Sequence, residues 1–373
     1  MSVDAMSDAE ALQFFTVRLQ SSPSQRELAE LFDDVISRFD ISSHVAAAVL
    51  AYRIKHTLTE HETAAQILKA IIRKQPNANL ITYCAYKAID SGNMDLLYDM
   101  VTRLEALFDT LDDVCTKSLS RCASALGRHD LALRAFEKLA ERQSPWTTTV
   151  LKNRLLAAID NQKLVTGIRV ISIGDNCLPW LMLNRWGLRY QPWRREVLSP
   201  FNLASTFTNS VTKFLTSKGD LLLQDLDFRE VKNVVMPYSR SMPTVFNHEA
   251  GEYWSQDDFR NLRERFSERI RNFDAFLDGG PRLFVHFCQR KGDLKALGEA
   301  LRNANRDGDY RLLVIDTIAC ADRGLDLPQG DILSIRPPDD YVWFRPENFE
   351  SESGLAYEGK IADAVIAALG KIR

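Results

Sequence analysis

Residues 168–189 read IRVISIGDNCLPWLMLNRWGLR, and this stretch decides the fold of the half of the chain that it opens. The apolar, β-branched run over 168–173 predicts a buried strand. Gly174-Asp175-Asn176 follows as a turn. Cys177 then stands at the mouth of a helix, with Pro179 in its first turn and Gly187 near its end. A cysteine there faces unpaired backbone N–H groups and the positive end of the helix dipole, both of which favour a thiolate. Several hydrolase families present a reactive side chain on the same strand–tight turn–helix frame. The plainer alternative makes Asp175 or Asn176 a helix cap and Cys177 a small buried hydrophobe.

The same grammar continues downstream. Strand candidates at 168–173, 231–237, 282–287, 311–315 and 332–335 alternate with helical patterns at 178–186, 257–277, 294–303 and 357–371. Short apolar strands between amphipathic helices predict a three-layer α/β domain over 166–373, with a mostly parallel sheet covered on both faces. Chemistry in such sheets sits beyond the carboxyl ends of the strands. Cys177, the Cys288-Gln289 pair and Asp316 each follow a strand there. In the 257–277 helix Phe259, Leu262, Phe266, Ile270, Phe273 and Leu277 share one face. Its arginines alternate with Glu264 and Glu268, which reads as a solvated face.

A thiol nucleophile needs a base within hydrogen-bond reach and a group to orient that base. The α/β half has two histidines. His248, in the polar loop Val245-Phe246-Asn247-His248-Glu249, is free to reach a strand end. His286 lies inside the apolar run Leu283-Phe284-Val285-His286-Phe287 and reads as a core histidine. His248 is therefore the expected base. Asp316, Asp339 and Asp340 stand as alternative orienting carboxylates.

Upstream, residues 1–160 read as successive amphipathic helices. Ser24 with Glu27, and Thr59 with Glu62, form capping-box spacings, and apolar residues recur behind them at helical period. Ser91-Gly92-Asn93-Met94-Asp95 is echoed thirty-five residues later by Leu126-Gly127-Arg128-His129-Asp130, and Pro76 and Pro145 stand 69 residues apart. A helix pair of that length cannot bury its apolar face alone and must stack on its neighbours. Residues 123–145, ASALGRHDLALRAFEKLAERQSP, resemble the later part of a tetratricopeptide repeat. That resemblance implies a helical array presenting a concave face to a protein or peptide partner. The alternative is a helical cap that only stabilises the second domain. The stretch 143–166 is poor in glycine and serine, so the junction is expected to be helical.

The bulk properties narrow the function classes. A net charge of -3 gives no electrostatic reason to expect nucleic acid. No apolar run approaches the roughly 20 residues of a membrane span, and the acidic start MSVDAMSDAEALQ lacks a signal-peptide pattern. Six cysteines without C-x-x-C spacing suggest neither zinc nor a disulfide framework. A reduced, cytoplasmic protein without metal or cofactor is expected.

The order Ile-Gly-x-Asn-Cys at 173–177, Leu188-Arg189, Pro200-Phe201-Asn202-Leu203, His248 and the Arg-bearing helix before 283–285 resembles an uncharacterised family classed with the papain-like cysteine peptidases. The resemblance covers about residues 168–290. It implies cysteine–histidine chemistry at Cys177 and His248; with Asp316 taken from the candidate carboxylates, these are the expected catalytic residues, and Gly174, Asp175, Asn176 and Arg189 are expected around the substrate or oxyanion. The chain departs from that pattern in carrying Asn202-Leu203 for Asp-Trp and His286 for an arginine. A papain-like domain sets its cysteine helix before an antiparallel sheet, whereas this chain alternates strand and helix, so the α/β architecture is expected. The strand–Gly-Asp turn is also similar to that of Gly-Asp-Ser esterases with a flavodoxin-like fold, without their serine and without a histidine after 286. The expected function is a cysteine-dependent hydrolase or acyl transferase. The alternatives are a non-catalytic interaction scaffold and an esterase-like hydrolase.

Overall fold

Ser24 and Glu27 close the capping box that their spacing predicts. The Ser24 hydroxyl accepts from the Glu27 amide at 3.4 Å, and the Glu27 carboxylate accepts from the Ser24 amide at 2.7 Å. Ser7 and Glu10 do the same one helix earlier. The computed structural model describes residues 6–372 apart from 22–23, 42–43, 58–60, 75–76, 91–92, 190–197, 203, 232–233, 250–253, 279, 306–308, 320 and 322–324. Thr59, Pro76, the Ser91-Gly92 start of the repeat echo, Leu203 and Cys320 thus lie outside the described residues.

Among the described residues, the chain up to Leu164 is helical: α1 (Asp8–Gln20), α2 (Gln25–Arg38), α3 (Val45–Thr57), α4 (His61–Lys74), α5 (Ala78–Asp90), α6 (Met94–Ala106), α7 (Asp113–Ala125), α8 (His129–Glu141) and α9 (Thr149–Leu164). Each packs on the next, and α1 also meets α3 as α5 meets α7. Phe15, Leu31, Val35 and Ile54 make a first core, and Leu97, Met100, Leu119, Ala132 and Leu155 belong to a second. The stretch expected to join the two halves contains α9. Among the described residues, no helix is long and apolar enough to cross a membrane.

From Arg169 the chain runs β1 (Arg169–Ile173), α10 (Leu178–Arg185), β2 (Ser205–Thr206), α11 (Thr208–Ser217), β3 (Leu226–Val231), β4 (Val234–Ser239), β5 (Thr244–Val245), α12 (Gln256–Leu277), β6 (Arg282–Cys288), α13 (Leu294–Ala304), β7 (Tyr310–Asp316), β8 (Gly330–Ser334), α14 (Pro346–Phe349) and α15 (Glu352–Gly370). The protein is thus mixed helix and sheet. β1, β6, β7 and β8 form a parallel sheet in that order, with Ile173 opposite His286 and Cys288 opposite Asp316. Alternate residues of β6 serve different cores. Leu283, Val285 and Phe287 pack with Leu183 of α10 and Ile361 and Val365 of α15. Phe284 and Cys288 pack with Phe214 of α11, Phe266 and Phe273 of α12, and Leu297 of α13.

The segment 231–237, expected as a strand of the parallel sheet, belongs elsewhere. It contributes most of β4, which pairs antiparallel with β3, Val231 opposite Val234, and with β5. Together with β2 these strands form a second sheet. A short period-2 run specifies a strand but not its partner, and the charged residues of Leu-Asp-Phe-Arg-Glu-Val in β3 hide that partner in the sequence.

The two halves share a buried polar interface. Arg121 of α7 pairs with Glu350 (Nε–Oε1 3.0 Å), and Trp146 donates to the same carboxylate. Arg154 of α9 donates to the carbonyl of Arg185 at 2.9 Å, and Asn161 to that of Trp186. Gly187, at φ +64°, closes this junction, since a Cβ there would collide with the Ala158 carbonyl of α9.

Candidate active site

β1 delivers the chain to a strained turn. Gly174 has φ +82°, and a Cβ on it would come within 2.7 Å of the His286 ring. Asp175 follows at φ +55°, a left-handed conformation that Asp and Asn tolerate better than most residues. Its Oδ2 accepts from the Gln289 amide after β6, while Oδ1 is buried without a hydrogen-bond partner. Burial pushes the Asp175 carboxyl up to about 6, against the opposing pull of the Gln289 amide and the Arg290 charge. Asn176, one residue before the N-cap of α10, accepts from the Leu178 amide at 2.8 Å, and its Nδ2 donates to Gln289 Oε1 at 2.6 Å. The turns after β1 and β6 are thereby tied together. α10 leaves β1 toward one face of the sheet and α13 leaves β6 toward the other. Ligand crevices in open parallel sheets form where successive connections diverge in this way.

Cys177 is the N-cap residue of α10 and only 2% exposed, packed with Trp180, Leu181, Leu198 and Trp343. Its Sγ lies 3.1 Å from His248 Nε2. His248 arrives on a turn after β5 that is pinned at both ends. Phe246 packs edge-on against Phe266 of α12 at 4.5 Å between centroids, and its amide donates to the Pro237 carbonyl of β4. Glu249, fully buried, pairs with Arg269 of α12 at 3.1 Å and with Arg265 at 3.4 Å. Burial alone would lower the His248 imidazole. The Cys177 sulfur, through charge and hydrogen bond, and then the Glu249 carboxylate outweigh it against Arg269, so the net shift is upward.

Asn247 places its Nδ2 at 4.0 Å from Cys177 Sγ, and its Oδ1 is buried without a partner. An amide at that position can donate to an oxygen developing on a carbon bonded to the sulfur. Arg189 holds its guanidinium 5.5 Å from the centroid of the Trp180 ring, beside the thiol cluster.

His286 takes a different place. It is fully buried beneath Gly174, with Nδ1 donating to the Ile173 carbonyl at 2.7 Å and Nε2 at 3.1 Å from Thr208 Oγ1. Burial pushes it down to about 4, so it is neutral near pH 7. Asp316 ends β7, two strands from β1, or about 10 Å at the usual strand spacing, and its carboxylate accepts from the amides of Ile318 and Ala321. Asn202 bonds to Ser172 of β1 and accepts from the Ser199 amide, which fastens the 199–202 turn under the sheet.

The structure therefore brings Gly174, Asp175, Asn176, Cys177 and His248 together, and gives the Asp316 carboxylate to its own turn. The sequence reading missed Asn247, Glu249 and Arg269. For Arg269 a signal existed: it continues the stripe Leu262, Phe266, Phe273 at helical spacing, which places a cation on the buried face of α12. Among the described residues, no group of three or more His, Cys, Asp or Glu side chains is arranged to hold a metal. Compared with protein-family models, curated proteins and solved structures, the chain matches none.

Proposed function

We propose that the protein is a cysteine-dependent hydrolase or acyl transferase in which Cys177 is the nucleophile and His248 its base. The observation that carries this reading is the 3.1 Å approach of Sγ to Nε2, made by residues on separate elements, one on the β1–α10 turn and one on the turn after β5. The Cys177 thiol passes its proton to His248 Nε2 as sulfur attacks a carbonyl carbon. The oxyanion is met by the Asn247 amide. The leaving group then departs with the proton from His248 and leaves a thioester. Water, or an acceptor amine or alcohol, attacks that thioester while His248 takes its proton, which frees the thiol and releases an acid or a transferred acyl product. Glu249 is the positioning residue for His248 in this reading, in place of Asp316. The resemblance to papain-like peptidases supports the same residue pair, though not the three-layer α/β frame proposed for it, and an ester substrate would use the same steps. The thiol state of every described cysteine supports a reduced, cytoplasmic setting. In this reading the tetratricopeptide-like array holds a protein or peptide partner.

One observation favours the alternative of a non-catalytic scaffold: Cys177 is only 2% exposed. Alkylation separates the two readings. With iodoacetamide near pH 7, Cys177 is expected to react at least tenfold faster than Cys288, whose thiol is committed to the Arg290 carbonyl, and His248→Ala is expected to remove that advantage. Equally slow modification of both cysteines sinks the enzyme reading and leaves the scaffold.

A further inference from the structure

Between the helical half and the α/β half lies a cavity of about 760 Å³ whose walls come from α5, α7, α9, α10 and the segment 343–350, and His248 forms part of its lining. Leu181 and Trp343, which pack on the Cys177 cluster, line it as well. A volume of that order accommodates a small ligand. Its charges do not balance. Lys117, Arg121, Arg154 and Arg185 stand in the wall. Glu350 answers Arg121, and Glu358, outside the wall, answers Arg185. Arg154 is only 6% exposed and spends one guanidinium nitrogen on the Ser124 hydroxyl at 2.7 Å and the Arg185 carbonyl. Among the described residues it has no carboxylate in ion-pair contact. Lys117 lies 5.4 Å from the centroid of the Trp146 ring, and it too has no ion pair among the described residues. Glu350 and Glu358 act on the Arg154 guanidinium from beyond ion-pair contact and leave the cost of its burial only partly offset.

We infer that this cavity binds an acyl compound with an apolar body and an anionic group remote from the bond that is attacked, the anion taken by Lys117 and Arg154, the body lying on Leu181, Trp343 and Phe349, and the reactive carbonyl at the His248 end. Burial pushes the Arg154 guanidinium down to about 10 against the opposing Glu350 and Glu358 charges, and burial followed by the Arg121 charge pushes the Lys117 ammonium down against Glu350. The assignment of the carbonyl end rests on the cysteine-hydrolase reading. The assignment of the anion does not.

Decanoate, decanol and decyltrimethylammonium share a chain and differ in charge, and serve as probes by calorimetry on the full chain carrying Cys177→Ser. Decanoate is expected to bind at least tenfold more tightly than decanol at low salt, with no measurable binding of the ammonium. Lys117→Met, at a half-buried position, is expected to weaken decanoate about fivefold and leave decanol unchanged. If Lys117→Met fails to fold, Lys117→Gln with the same two probes answers the question. Equal affinity for decanoate and decanol, or decanoate binding indifferent to Lys117, overturns the inference. The two readings fail separately. Selective decanoate binding with a sluggish Cys177 removes only the nucleophile, and a fast Cys177 with no charge preference removes only the anion site.

Discussion

Asp175→Asn tests whether the turn that carries Cys177 is as closed as its geometry states. In the folded protein the Asp175 carboxyl is pushed from 3.8 to about 6 by burial, and one of its oxygens has no partner. A carboxyl raised on folding binds its proton more tightly in the native state, so it favours the fold at low pH and that advantage is lost as pH rises through about 6. The full difference between 3.8 and about 6 amounts to roughly 3 kcal/mol. About 1.4 kcal/mol of it falls between pH 5 and pH 7.5 when the two titrations are integrated. Asparagine tolerates the positive φ, and its carbonyl can keep the Gln289 amide, so any packing cost of the substitution is independent of pH. The other titrating groups are common to both proteins and cancel in the comparison. Urea unfolding of wild type and Asp175→Asn at half-unit steps from pH 5 to 7.5 should show the stability difference move in favour of the variant by about 1.4 kcal/mol. Most of the change should occur below pH 6.5. Parallel stability curves would refute the reasoning, because they would mean that the carboxyl is already solvated and that the turn is open to water.

Two further substitutions probe the elements that aim the reacting pair. Gly174→Ala puts a methyl group against the His286 ring at a left-handed φ; it should cost about 2–4 kcal/mol in urea unfolding and slow Cys177 alkylation, and a loss under about 1 kcal/mol would show that the turn relaxes freely. Glu249→Gln leaves Arg269 buried without its carboxylate; it should cost about 3–5 kcal/mol and lower the His248 titration measured by NMR, whereas an unmoved His248 titration would remove Glu249 from the positioning role.

The parallel sheet was legible because its strands are short apolar runs between helical patterns. Strands expected at 282–287 and 311–315 appear as β6 and β7 within a residue at each end. In α10, the Pro179 start and Gly187 stop mark boundaries that backbone chemistry imposes locally, so its limits also follow from the sequence. The antiparallel sheet was not legible. β2 and β5 are two residues long, and β3 carries Asp227, Arg229 and Glu230, so neither length nor alternation rises above a loop. α11 is rich in threonine and serine and reads as a polar connection, although Val211, Phe214 and Leu215 stand at helical spacing and are buried. At the site, Cys177 was legible as the cysteine of a turn and His248 as the histidine of a loop, and the fold brings the two to 3.1 Å. Arg269 was read as solvated because charges alternate along α12, although it continues the apolar stripe, and Glu249 stands in a polar loop whose buried arginine partners only the fold supplies.

The position of the cavity gives the helical half a physical reason to be there. His248 reaches Cys177 from within the α/β half, held by α12 through Glu249 and Phe246, so the Cys177–His248 contact itself is made without α1–α9, although Met94 of α6 packs on the Cys177 cluster. The cavity that His248 lines does need those helices. Lys117, Arg121 and Arg154 come from α7 and α9, and the opposite wall comes from α10 and the segment 343–350. The half-buried Arg121–Glu350 pair and the buried Arg154 bond to the Arg185 carbonyl join those walls. A surface that only stabilised the α/β domain would close on it with apolar contacts and leave no room. This one meets the α/β half through apolar contacts at Leu355 and Ala157 as well, and still leaves a space lined by cations beside a histidine. The helical half therefore supplies one wall of the cavity proposed as the site, and the chemistry proposed for Cys177 would belong to the joined halves.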